Sequence, residues 1–325
     1  MKKELIQPHM QLAIMSREYV VSRAIHAIAN LGIADHMSEQ PISVQELAQL
    51  TSTVPELLDR VLNFLTVYGL FTKSGTSYAL TPLSAPLRED HPYSMKDVLS
   101  MVDESWWQAF AHLETGLKTG SPAFKHQHGT DFFSFLNSNP EKKTRFQKGI
   151  SKLSTFDDNA ITQGFNFGKY KSLIDIGSGQ AGLSKAIAIQ YPSISITLFN
   201  LMTQINANSN DDYFSTLTAA EAYLFKGILH DFDDEKVKHI LTHCWKHMPS
   251  NSSLIIAEQV IPQNNLPHTN KTMDIIMMVL VGGRQRMINN WCELIETTGF
   301  KLTNTCPTQG IYTLMEFTRM DATLS

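Results

Sequence analysis

Two side chains capable of proton transfer follow neighbouring β-type segments in the second half of the chain. His230 lies in LHDFDDE, just after the apolar run AYLF, and Glu258 ends the run SLIIAE one β-α unit later. Because the carboxyl ends of neighbouring parallel strands meet at one edge of a sheet, the two residues are predicted to lie close together. A carboxylate beside an imidazole can orient it as a general base. The alternatives are a structural or exposed histidine and a solvated carboxylate.

A glycine-rich segment, DIGSGQAG, follows the apolar run SLIDI and precedes the helical pattern LSKAIAI. In that context Gly177 and Gly179 let backbone N–H groups approach a ligand such as a nucleotide-like cofactor. The next strand, SITLF, ends on Asn200, where an acidic residue normally holds the ribose. From Asn200 to the next strand there are only about 21 residues, whereas a βαβ crossover takes about 30. We therefore expect a helix or strand to be truncated there.

The elements that position these residues predict two kinds of domain. Residues 166–325 alternate short β runs with helices, which predicts a doubly wound, Rossmann-like α/β fold with a parallel sheet. Residues 1–90 read as helix, short helix, helix and hairpin, the order of a winged helix, with the hairpin over 71–80. The amphipathic helices of residues 91–165 are predicted to form a linker that covers a substrate pocket.

A winged helix raises the hypothesis of DNA binding, but its charges oppose it. Residues 1–90 hold seven Lys and Arg against nine Asp and Glu, and the would-be recognition helix carries Glu56, Asp59 and only Arg60. A DNA-reading helix would be basic. With a formal net charge of −4, neither nucleic acid nor an anionic membrane is an expected partner. A structural or dimerisation role is predicted instead.

The three cysteines, Cys244, Cys292 and Cys306, are widely spaced and form no CxxC pair. That usage favours reduced thiols that pack in the interior, with neither a disulfide framework nor a zinc site, and no metal is expected. The first residues, MKKELIQPHMQ, lack the apolar core of a signal peptide. A cytoplasmic location is the resulting expectation.

Four segments in order, LIDIGSGQAG, YLFKGILHDFDDE, IIAEQVIP and DIIMMVLVGGRQR, resemble the small-molecule O-methyltransferases with a winged-helix dimerisation domain, which act on plant phenolics and bacterial polyketides. The resemblance covers nearly the whole chain. It implies S-adenosylmethionine as cofactor, a hydroxyl of an aromatic molecule as methyl acceptor, and a homodimer joined through the N-terminal domain.

The resemblance also implies roles for individual residues. His230 would be the general base and Glu258 its orienting partner, with Gln285 at the position of a second catalytic glutamate. Met277, with Trp106 or Trp107, would press against the substrate, although Met and Trp are also ordinary core residues. The implied cofactor residues are Asp175, Gly177, Gly179, Asn200, Asp212, Tyr213 and Lys226.

The sequence departs from the family in its cofactor half. Asn200 replaces an acidic residue that grips both ribose hydroxyls, and Ala181 replaces the third glycine of the loop. The connection from Asn200 to Asp212 is short where relatives have a helix and a strand. These departures leave open a second hypothesis, a homologue with weak or lost cofactor binding that serves as a binding protein or partner. Gln285 is a further departure, because it lacks the carboxylate.

The proposed base must accept a proton from a weak acid. A phenol has a pKa of about 10 and a histidine one of about 6.5, a mismatch of about 5 kcal/mol against full proton transfer. The sequence therefore predicts that the proton moves as the oxygen attacks the methyl group.

Overall fold

The computed structural model describes residues 7–177, 179, 181–201, 203, 205 and 213–320. These residues divide into two compact units. One unit comprises residues 1–103 and 141–152, and the other comprises residues 104–140 and 153–325. Segment 91–165, predicted to be a separate linker and cover, is thus divided between the two units.

The first unit has the predicted winged-helix order. Its elements are α1 (Pro8–Met15), α2 (Tyr19–Asn30), β1 (Ile42–Ser43), α3 (Val44–Leu50), α4 (Pro55–Thr66), β2 (Phe71–Ser74), β3 (Ser77–Leu80) and α5 (Lys96–Met101). The Ser43 side chain caps α3 by accepting the backbone N–H of Glu46 at 3.2 Å. The three strands form an antiparallel sheet in the order β1-β3-β2, and Tyr78 is buried in its core.

The second unit begins with helices and ends with a sheet. Its helices before the sheet are α6 (Glu104–Phe110), α7 (Leu113–Thr119), α8 (Ala123–His128), α9 (Phe132–Asn137) and the later part of α10 (Pro140–Gly164). The elements that follow are β4 (Ser172–Ile176), α11 (Gly182–Gln190), β5 (Ser195–Phe199), β6 (Ala222–Lys226), α12 (Asp234–His247), β7 (Ser253–Glu258), α13 (Thr269–Leu280), α14 (Ile288–Glu296), β8 (Phe300–Pro307) and β9 (Thr313–Arg319).

The large sheet has the order β5-β4-β6-β7-β9-β8, and its first four strands run parallel, as the α/β pattern predicts. β9 pairs antiparallel with both β7 and β8, so the sheet is mixed at this edge and parallel over its first four strands. The sequence does not predict β8, because it is an edge strand whose residues, KLTNTC, are mostly exposed and polar and show no apolar alternation.

This topology brings the carboxyl ends of β4, β6 and β7 side by side. Apolar residues of these strands are fully buried, with Phe225 and Ile256 on one face and Leu224 and Ile255 on the other. The residues that follow the strands therefore stand on a rigid support. Within the described residues, no helix combines the length and apolarity that crossing a bilayer requires.

Candidate active site

The predicted His230–Glu258 pair forms at the ends of β6 and β7. His230 Nδ1 lies 2.7 Å from Glu258 Oε2. Glu258 is fully buried, and its Oε1 accepts the backbone N–H groups of Ile228, Leu229 and His230 at 3.2, 2.9 and 3.3 Å. Since a carboxylate only accepts hydrogen bonds, Nδ1 carries the proton of the neutral ring and Nε2 is the basic nitrogen.

The short turn that carries His230 depends on two glycines. Gly227 has φ +59°, and a Cβ there would lie 2.9 Å from the Tyr312 hydroxyl and 3.6 Å from His230 Cε1. A Cβ at Gly283 would overlap the His230 carbonyl oxygen, which accepts the backbone N–H of Arg284 at 2.8 Å. Close packing on both sides therefore fixes the backbone of the histidine turn.

The charges around His230 make it a stronger base than a free histidine. Burial favours the neutral ring, but Glu258 and Asp231 together outweigh it and raise the pKa of His230 to about 9. Asp231 lies with Oδ1 3.5 Å from His230 Nε2. Burial raises the pKa of Asp231 to about 6, although His230 pulls it down. The mismatch with a phenol shrinks to about one unit, or about 1.4 kcal/mol.

Three residues of the glycine loop have left-handed backbone conformations. Gly177, Gly179 and Ala181 have φ values of +80°, +53° and +59°. A Cβ at Gly177 would lie 3.0 Å from Ile228 Cδ1, so that position requires glycine on two grounds. At Gly179 an added Cβ would meet nothing within 4 Å, which leaves open space above the loop.

Two other predicted cofactor residues make local contacts. Asp175 is fully buried at the end of β4, and its Oδ2 accepts the Ser184 hydroxyl at 2.5 Å, which ties the first turn of α11 to the strand. Asn200 is exposed after β5, and its Oδ1 accepts the backbone N–H of Thr203 at 3.1 Å. Asn200 thus already has one partner at the position where the ribose is expected.

Lys226, at the end of β6, is paired with a residue that sequence reasoning missed. Its Nζ lies 2.7 Å from Asp158 Oδ1, with both side chains nearly buried, and 5.3 Å from the centre of the Tyr312 ring. Asp158 comes from α10, about 70 residues away along the chain. No spacing in a long amphipathic helix could have revealed this partner.

The adenine side of the predicted cofactor site is described only in part. Tyr213 is buried, and its hydroxyl accepts a hydrogen bond from Lys236 Nζ at 2.6 Å. Its neighbour Phe214 stacks on Phe199, the last residue of β5, with ring centres 5.5 Å apart. The predicted residue Asp212 lies outside the described residues.

On the predicted substrate side, α6 and α8 pack against α13. Met277 and Trp107 are half-buried on α13 and α6, whereas Trp106 is 7% exposed and meets Phe132 edge to face, with ring centres 5.7 Å apart. Trp106 therefore belongs to an aromatic core, and Trp107 is the better placed of the two for a ligand.

Gln285 is buried in the segment that packs on the histidine turn. It is 3% exposed, and its backbone N–H donates to Asp274 Oδ1 at 2.8 Å. Neither Nε2 nor Oε1 of its side chain has a hydrogen-bond partner among the described residues. A buried amide of this kind is costly unless a ligand or water satisfies it.

The chain matches two family models, an O-methyltransferase domain over residues 110–301 and an O-methyltransferase dimerisation domain over residues 14–90. It is 30% identical over 315 residues to the phenazine O-methyltransferase of Lysobacter antibioticus, covering 92% of each chain. The crystal structure of LaPhzM superposes with a TM-score of 0.84 at 29% identity, over 97% of this chain and 100% of that one.

A second solved structure is NcsB1, an O-methyltransferase from neocarzinostatin biosynthesis, in complex with S-adenosylmethionine and 2-hydroxy-5-methyl naphthoic acid. It has a TM-score of 0.75 at 25% identity and covers 93% of this chain and 96% of that one. The protein therefore belongs to the S-adenosylmethionine-dependent O-methyltransferases. The predicted fold class, cofactor and reaction type are confirmed.

The loop fits the cofactor of this family. An added Cβ at Gly179 would meet nothing within 4 Å, and α11 begins at Gly182 directly after the loop, so the backbone N–H groups of its first turn are suited to a carboxylate. Gly177, Gly179 and Lys226 are the described residues best placed to hold the amino acid end of the cofactor.

Proposed function

We propose that the protein methylates a hydroxyl of an aromatic small molecule and that His230 is its general base. The observation that carries the proposal is the His230–Glu258 pair, in which the carboxylate holds Nδ1–H and leaves Nε2 available to the substrate hydroxyl. When bound, S-adenosylmethionine supplies an electrophilic methyl group on a sulfonium. Removal of the hydroxyl proton by Nε2 makes the substrate oxygen a better nucleophile.

The surroundings of the base support an aromatic acceptor. Trp107 and Met277 lie on helices that pack together and present flat or polarizable side chains suited to a ring. The unsatisfied amide of Gln285 can bond a polar substituent of the substrate. The phenazine and naphthoate relatives are consistent with this substrate class.

We also propose a homodimer joined through the first unit. Helix α1 has no buried residue, and its large apolar side chains are 47 to 68% exposed: Met10, Leu12, Ile14 and Met15. Clustered apolar exposure on one short helix marks an interaction surface. A second copy is the occupant favoured by the match to a dimerisation domain.

The test of the function is methyl transfer from labelled S-adenosylmethionine to a panel of phenols, hydroxynaphthoates and hydroxyphenazines. His230→Ala should lower kcat by about 10²- to 10⁴-fold, because it removes the general base. The Kd for S-adenosylhomocysteine, measured by calorimetry, should stay unchanged. His126→Ala is the matched control, since that histidine is exposed on α8 and its side chain bonds only Thr119 in the described structure.

A full rate in His230→Ala would reject the base assignment. No binding of either cofactor form to the wild type at millimolar concentration would favour the non-catalytic homologue instead.

A further inference from the structure

The ion pair between Asp158 and Lys226 stands beside the glycine loop with no role in the proton transfer described above. The two side chains are 6% and 11% exposed and 2.7 Å apart. Among the described residues, Lys226 is the one hydrogen-bond donor to the Asp158 carboxylate. Burying two charges costs free energy that a single contact only partly returns. Such a pair is therefore a candidate for function.

Asp158 lies directly against the loop. A Cβ at Gly182, the first residue of α11, would overlap Asp158 Oδ2, so a residue with a Cβ there would displace the carboxylate. The carboxylate thus lies where the N-terminal turn of α11 begins. Its neighbour Asp157 adds negative charge, although burial raises the pKa of Asp157 to about 6. Lys226 is the cation that Asp158 contacts directly.

We propose that Asp158 is a cofactor-positioning residue that binds the α-ammonium group of S-adenosylmethionine and S-adenosylhomocysteine. The amino acid end of these ligands carries one ammonium and one carboxylate, and the Asp158–Lys226 pair carries the complementary two charges. On binding, the ligand ammonium takes a place at Asp158, while Lys226 and the α11 N-terminus face the ligand carboxylate. The buried ion pair then becomes part of an arrangement of four charges, those of Asp158, Lys226 and the two groups of the ligand. Each charge in it has a partner of opposite sign.

This assignment rests on the proposed function only in the identity of the ligand, and not on the aromatic substrate. A purely structural pair would tie α10 to β6 whether or not a ligand is bound. The two roles differ in their response to the ligand's own charges. Substitution of a positioning residue changes the affinity for a ligand that has the ammonium and not for one that lacks it. Substitution of a structural residue changes both affinities equally.

The experiment is calorimetry with two ligands, S-adenosylhomocysteine and its deaminated analogue, 5′-S-(3-carboxypropyl)thioadenosine. For the wild type we expect the deaminated analogue to bind about ten- to a hundredfold more weakly, since it loses a charge-assisted hydrogen bond. Asp158→Asn should weaken S-adenosylhomocysteine by a similar factor and leave the Kd of the analogue nearly unchanged. Equal affinities of the wild type for the two ligands would overturn the proposal without any variant.

Glu316→Gln is the matched control, because Glu316 is a buried carboxylate of the same unit that pairs with Lys169 at 2.6 Å. It should leave both Kd values unchanged. If Asp158→Asn weakens both ligands equally, or neither, the pair is structural and the proposal fails. A wild type with the expected discrimination but no phenol methylation would reject the proposed function and leave this inference standing.

Discussion

At the scale of single residues, the strength of the base depends on the two carboxylates beside it. Glu258 bonds Nδ1 of His230, and Asp231 lies near Nε2, so both favour the protonated ring. His230 is therefore largely protonated at neutral pH and must lose that proton before it can act as a base.

This protonation predicts the pH profile of the reaction. We expect kcat/KM to rise about tenfold per pH unit through neutral pH and to level off near pH 9, the pKa of His230 in the free protein. Glu258→Gln should move the bend to lower pH and reduce the plateau. A profile with its bend near 6.5 in the unaltered protein would contradict the assigned environment.

The same shift links His230 to stability. Its folded-state pKa of about 9 lies above its unfolded value of 6.5. The stabilisation is therefore fully present below pH 6.5 and is lost as the pH rises through about 9. Thermal unfolding across this range should show the loss in the wild type and a smaller one in His230→Ala.

Asn200 is a second residue whose identity should matter, in this case for the affinity of the cofactor site. Its amide bonds the backbone N–H of Thr203 in place of a charged contact to ribose. Asn200→Asp should tighten S-adenosylhomocysteine by about tenfold, because a carboxylate forms charge-assisted hydrogen bonds. Calorimetry measures the change, with the exposed Asn264→Asp as control. An unchanged or weaker Kd would show that the ribose does not reach this position.

At the scale of elements, the glycine loop leads directly into α11, and Ala181 is the residue that joins them. Ala181, which precedes α11, has φ +59°, a conformation that costs a residue with a Cβ about 1 to 2 kcal/mol. Glycine would remove that cost, because it has no Cβ. The left-handed backbone is imposed by the loop and not by the preference of alanine.

Ala181→Gly should therefore raise the free energy of unfolding by about 1 kcal/mol, measured by urea denaturation. Ala188→Gly, the same substitution at an exposed position inside α11, should lower it by about 1 kcal/mol. Opposite changes in the free energy of unfolding for the same substitution would show that the effect comes from the backbone conformation at Ala181. Two changes of the same sign would refute it.

At the scale of the whole molecule, the exposed apolar face of α1 predicts the oligomeric state. Leu12→Glu combined with Ile14→Glu should convert a dimer into a monomer in sedimentation velocity, because two charges would enter the proposed interface. Gln11→Glu on the same helix is the control for added charge. A wild type that sediments as a monomer at micromolar concentration would reject the interface.

The sequence by itself determined the order of the elements and both members of the His230–Glu258 pair. Glycines before a helix and apolar runs of strand length are local signals, and the structure forms those elements where the signals predict them. His230 and Glu258 could be paired because parallel strands end at the same edge.

Only the tertiary structure decided what surrounds those residues. It brought Asp158 from α10 to Lys226, placed Asp231 beside the basic nitrogen, and enclosed Trp106 among other aromatic rings. It also added β8, whose exposed residues carry no apolar period. These features depend on contacts between distant segments and on burial, which set charge interactions and pKa values and leave no periodic trace in the chain.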